Sequence, residues 1–134
     1  MAAPNIVQVS SITGVTSSYN HSTTDALVVI NNAASSNLSY KINNVTLANT
    51  SDTEVAMVTV SRHLNGGQTE GTAWDNNGGE YKLVNKIGIA TATSIVIVDK
   101  ASSFYLQENE SISIKPIGAN TIDSTVSYEI ISSS

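Results

Sequence analysis

Two histidines, His21 and His63, are the only side chains that could act as a neutral-pH base. Nucleophilic catalysis needs such a base beside a positioned Ser and a third group that orients it. Serines crowd the chain, so one lies near each histidine by composition alone, and no G-x-S-x-G elbow occurs. Carboxylates fall near the ends of the apolar segments at Asp25, Glu54, Glu80, Glu108, Glu110 and Glu129. Glycoside hydrolysis requires two of them at a fixed separation across a sugar cleft, and no aromatic-rich cleft sequence accompanies them. Asp75-Asn76-Asn77-Gly78-Gly79-Glu80 gathers oxygen ligands beside glycines. An EF-hand loop would need Gly at its sixth position, where Glu80 stands, so that pattern fails and a Gly/Asn turn is the simpler reading. With no cysteine there is no thiolate metal site, disulfide or thiol nucleophile. The chain therefore reads as a non-enzyme, with no catalytic residues, no metal site and no cofactor.

What remains is recognition. Trp74 is the sole tryptophan and sits in a polar stretch, residues 63–79 (HLNGGQTEGTAWDNNGG). It is read either as a partner contact or as an anchor folding that stretch back onto its own sheet. Ile6, Val7 and Val9 near the start could add a strand to a neighbour's sheet edge, with Tyr19 beside them; the alternative is an edge strand of the chain's own sheet.

Those candidates must be carried by strands. The hydrophobic period is 2 nearly throughout: Leu38, Tyr40, Ile42; Ala56, Val58, Val60; Tyr81, Leu83, Ile87, Ile89; Ile112, Ile114; Val126, Tyr128, Ile130. A change of parity at Asn43-Asn44 signals a β-bulge. Strands are expected over residues 5–10, 25–31, 38–48, 54–62, 80–90, 93–98, 103–107, 110–116 and 124–132, separated by short turns such as 31–37 and 49–52. This spacing predicts an all-β antiparallel β-sandwich or jelly roll of eight or nine strands. Residues 1–24 are expected as an extended N-terminal arm and 25–134 as the sandwich domain. Ala26–Ile30 and Ile95–Val98 are apolar on both parities, so each should be covered on both faces, one of them by a neighbouring copy in a homotrimer; the alternative is cover by residues 1–24 or the 63–79 loop of the same chain.

A total of 134 residues makes one domain. Charged residues are 13%, about half the usual share, and the net charge is −5. Acidic balance without a basic cluster argues against a nucleic-acid partner. No apolar run reaches the roughly 20 residues of a membrane helix, and the first ten residues have no secretory pattern. A soluble protein made in a cytosol is expected. The Asn-x-Ser/Thr triplets at Asn20, Asn37, Asn44, Asn49 and Asn109 are then read as chance.

Met1-Ala2-Ala3-Pro4-Asn5-Ile6-Val7, then Ile12-Thr13-Gly14, Leu27-Val28-Val29-Ile30-Asn31-Asn32-Ala33 and Tyr40-Lys41-Ile42-Asn43-Asn44-Val45 form an ordered series. It continues through Ile97-Val98-Asp99-Lys100, Phe104-Tyr105-Leu106, Glu108-Asn109-Glu110-Ser111-Ile112 and Val126-Ser127-Tyr128-Glu129-Ile130-Ile131. Over almost the whole chain this series resembles a family of small virion proteins of marine tailed phages, notably those of cyanobacteria. It departs at residues 63–79, where this chain carries a longer loop. The resemblance implies a structural place in a virion. The size, acidity and lack of cysteine are similar to head decoration (cement) proteins that dock on the major capsid protein, often as trimers. The alternative is a tail, neck or fibre-tip module that binds a host glycan or surface protein. The resemblance carries over no catalytic residue.

Overall fold

The computed structural model describes residues 9–75, 78–117 and 122–133. Nine strands run β1 (Val9–His21), β2 (Leu27–Asn32), β3 (Leu38–Asn49), β4 (Ala56–His63), β5 (Glu80–Ile89), β6 (Ser94–Val98), β7 (Phe104–Leu106), β8 (Glu110–Ile117) and β9 (Ile122–Ser133). Val, Ile and Thr dominate these segments, and their branched Cβ packs well on a pleated surface. A 3-10 turn at Lys100–Ser102 is capped by Asp99, whose carboxylate accepts from Ser102 N at 3.0 Å.

All pairings are antiparallel. One sheet has the order β1-β9-β3-β6, with β7 also on β3, and the other β2-β8-β4-β5. Strands thus pair from the outside inwards: β1 with β9, β2 with β8, β3 with β6, β4 with β5. That is one long hairpin rolled on itself, the jelly roll. The predicted bulge is present, as the β3–β9 register shifts between Ile42 and Asn44. It returns Val45 and Leu47 to the core beside Ile30, Ile42, Leu106, Ile112, Ile114 and Val126, all fully buried.

Two buried asparagines staple the layers. Asn32 of β2 donates from Nδ2 to the Leu38 and Leu106 carbonyls of the other sheet, at 2.9 and 3.1 Å. Asn49 of β3 donates to the carbonyls of Glu54 and Ile89, at 2.8 and 3.1 Å. A buried amide with these partners specifies how the sheets are aligned, because a slip would strand it without a hydrogen bond.

Two expectations need correction, and the two doubly apolar runs resolve differently. The expected N-terminal arm, where described, is strand: Val9–His21 pairs with β9 from Val9↔Ser133 to His21↔Ile122. Alternating Val15, Ser17, Tyr19 and His21 face the interior, so the segment gains a buried face by pairing. On β5, Tyr81 and Leu83 are exposed and Val84 packs on the core in their place, while Ile87 and Ile89 face inwards as expected. Register shifts at Val58/Val60 and Val60/Ser61 swap the faces that simple alternation assigns. Of the two runs apolar on both parities, Ala26–Ile30 is covered within the chain by its 69–74 segment. Val96 is 52% exposed, so Ile95–Val98 keeps one face open in the single chain.

Candidate interaction surface

Both histidines lie on strands and both meet a serine. His21 Nε2 is 2.7 Å from Ser124 Oγ, and His63 Nε2 is 2.6 Å from Ser113 Oγ. Each pair is buried, and neither Nδ1 has a hydrogen-bond partner. A nucleophile–base pair needs a group on Nδ1 to hold the tautomer and a hydroxyl open to substrate. Both features are missing here, so these are cross-strand hydrogen bonds of the sandwich. Burial lowers the His21 pKa to about 4, against a smaller opposing pull from Asp123, and burial lowers that of His63 as well.

This has a pH consequence. A neutral histidine in the fold that titrates near 6.5 when unfolded gives stability that is complete above that pH. The stability is lost as the pH falls from 6.5 towards 4, because the unfolded chain binds the extra proton. Thermal melts should show a loss of about 2 kcal/mol across that window. The loss should shrink in His21→Asn; an equal loss in that variant would remove His21 as its source.

The carboxylates are dispersed into structural roles. Glu110 pairs with Arg62 and accepts from Gln107 N at 2.8 Å. Glu108 is buried and accepts from Asn37 N at 3.1 Å. Glu80 accepts from Ser61 Oγ at 2.7 Å, the main cause of its lowered pKa. Among the described residues no three His, Cys, Asp or Glu side chains converge as a metal site. Asn76 and Asn77 of the candidate ligand run lie outside the described residues.

The 64–79 connection is tied down at many points. Gly71 N donates to Val28 O, Val28 N to Thr72 O and Trp74 N to Ala26 O, at 2.7 to 2.8 Å. These bonds close the outer edge of β2. Glu70 accepts from Asn31 N at 2.9 Å and from Tyr128 OH at 3.4 Å. Its charge adds to burial in raising the pKa values of Tyr19, Tyr40 and Tyr128. Trp74 is 9% exposed and stacks on His63 with ring centroids 3.7 Å apart. Within the chain Trp74 anchors the loop on its own sheet. Tyr19 is half-buried against the core, Val9 is half-buried at the start of β1, and Ile6 and Val7 lie outside the described residues.

The sheet edges differ sharply. β2 is closed by residues 71–74. β5 carries Lys82 and Lys86 and two register shifts, and β6 and β7 are 5 and 3 residues long. Charge, irregularity and shortness are the usual defences of an edge strand. β1 has few of these: it is 13 residues long, with no proline, lysine, arginine or carboxylate, and a register shift only at Val9/Ser11. Its exposed row reads Ser10, Ile12, Gly14, Thr16, Ser18, Asn20. Their cross-strand bonds include Ser18 Oγ to Thr125 Oγ1 at 3.1 Å and Asn20 Nδ2 to Asp123 Oδ1 at 2.7 Å. Of the residues read for strand addition, Val9 and Tyr19 lie on this strand. The absence of charge between Val9 and His21 was the readable signal of a weakly defended edge.

No family model and no curated protein matches the chain. A chain from a solved structure of Bacillus endospore appendages, described as a novel family of disulfide-linked pili, is similar at 18% identity and TM-score 0.48, over 100% of this chain and 98% of that one. A likeness this distant bears neither on assembly nor on activity.

Proposed function

We propose that this chain is a non-enzymatic structural protein of a phage particle, a head decoration module that docks on the capsid shell as a homo-oligomer. The phage assignment rests on the sequence resemblance. The observation that supports assembly is the long, uncharged edge of β1, which among the described strands pairs only with β9. Main-chain pairing along it would join a second strand without needing any new pocket. Two β1 edges meeting across a two-fold axis give a dimer; a β1 edge meeting a different edge of the next copy can close a ring such as a trimer. Low surface charge suits close packing of many copies, and repeated weak contacts give avidity on a shell.

The test places charge on the edge. Thr16→Lys combined with Ser18→Lys is expected to leave the monomer folded and to lower both its oligomer mass in sedimentation and its occupancy on purified particles by at least about tenfold. Unchanged mass and occupancy would remove β1 as the assembly edge.

A further inference from the structure

The chain holds six Lys and Arg residues against 11 Asp and Glu, yet three of its lysines line one groove. Lys82 and Lys86 come from β5 and Lys115 from β8, with Thr59 of β4 between them. Lys115 lies directly opposite Thr59 in the ladder. Adjacent strands are about 4.8 Å apart, so the roots of Lys115 and Lys86 stand roughly 10 Å apart across three strands. The groove is open on one side and offers about 670 Å³, within the range of small-ligand sites.

Its construction is costly at one residue. Lys86 has φ of 54°, a left-handed conformation that favours glycine or asparagine. It sits where the β4–β5 register shifts between Val58 and Val60. Lys86 N donates to Thr59 Oγ1 at 3.1 Å, and Thr59 Oγ1 donates to Asn85 Oδ1 at 3.4 Å. A bulge of this kind re-aims side chains, and here Thr59, Asn85 and Lys86 all line the groove. Glycine would satisfy the backbone with less strain, and a lysine stands there instead. Among the described residues, neither Lys86 nor Lys115 has a carboxylate within 4 Å; Lys82 lies 3.8 Å from Glu80.

We propose that this groove binds an acidic saccharide, a short sugar chain carrying carboxylate or sulfate groups. The lysines would meet its anionic groups. Asp25 and Glu80, which also line the groove, would accept from its hydroxyls, and Pro116 and Ile117 offer an apolar surface to the ring faces. A peptide dense in Asp or Glu lacks the hydroxyls that those two carboxylates can accept from, so it would meet their charge without that compensation. The site is separate from the β1 edge and stands or falls independently of assembly.

Calorimetric titration would use trigalacturonate, a sulfated chondroitin tetrasaccharide, neutral maltotriose and hexaglutamate. Binding of either acidic saccharide, without binding of maltotriose, is expected. Which of the two binds more tightly tells carboxylate from sulfate recognition. Lys115→Gln and Lys86→Gly should each weaken it about tenfold or more. Lys86→Gly should at the same time raise Tm by about 2–4 °C by relieving the left-handed lysine. Loss of binding with gain of stability is a pairing that general damage does not produce. No binding of either acidic saccharide at millimolar concentration would overturn the proposal. So would hexaglutamate binding equally well, or affinity unchanged in both lysine variants.

Discussion

Trp74→Ala is expected to destabilise the fold by about 3–5 kcal/mol in urea denaturation, the range for truncating a large buried aromatic. The ring is stacked on His63 and roofs the outer face of the β2-β8-β4-β5 sheet near the covered edge of β2. Without it, the His63–Ser113 pair and Val28, both buried, open to water. The His63 pKa, held down by burial, should then rise towards its ordinary value, which NMR titration would read. A loss below about 1 kcal/mol would mean that the loop holds without its ring. Because the same substitution bears on any particle contact, occupancy of this variant has meaning only at temperatures where it remains folded.

Gly66→Ala should cost about 3 kcal/mol, at the upper end of overpacking effects. A Cβ at Gly66 would stand 2.3 Å from Asn32 O and 2.7 Å from Asn109 Cα, backbone atoms that cannot rotate away. Two anchors break together if the loop retreats: Gly66 N to Asn109 Oδ1 and Asn31 Nδ2 to Gly66 O, both 2.9 Å. Asn32 is also one of the inter-sheet staples, so the strain reaches the packing of the layers. Gly14→Ala is the matched control, since nothing lies within 4 Å of its Cβ position. It should be neutral or stabilising by up to about 1 kcal/mol. Equal losses in the two variants would show that the close approach at Gly66 is not what matters.

The strands were legible because their signal is local. Alternation in β3, β4, β8 and β9 follows from burying one face, and the change of parity at Asn43-Asn44 marks its bulge directly. β1 was not legible for the opposite reason. Val9–His21 is mostly Ser, Thr and Gly and becomes a strand through its partner β9 rather than through its own apolar content. Asn32 and Asn49 look like turn punctuation, yet each is buried across the two sheets, and no local pattern tells a staple from a turn residue. Faces on β5 were misread because its register shifts are set by the facing strand β4. The Lys82–Lys86–Lys115 groove brings together positions about thirty residues apart in sequence, a proximity that the topology creates.

The rolled-hairpin order also sets a timetable for folding during synthesis. β4 and β5 are neighbours in sequence and can pair early, whereas Val9 finds Ser133 only after nearly the whole chain exists. At roughly 5–20 residues per second, β1 stays without its partner on the order of ten seconds. Through that interval its uncharged backbone is open to any other nascent strand, so its low apolar content guards against capture on the polysome. Loop closure over so long a separation further predicts slow refolding, on the millisecond-to-second scale of β-rich domains or beyond.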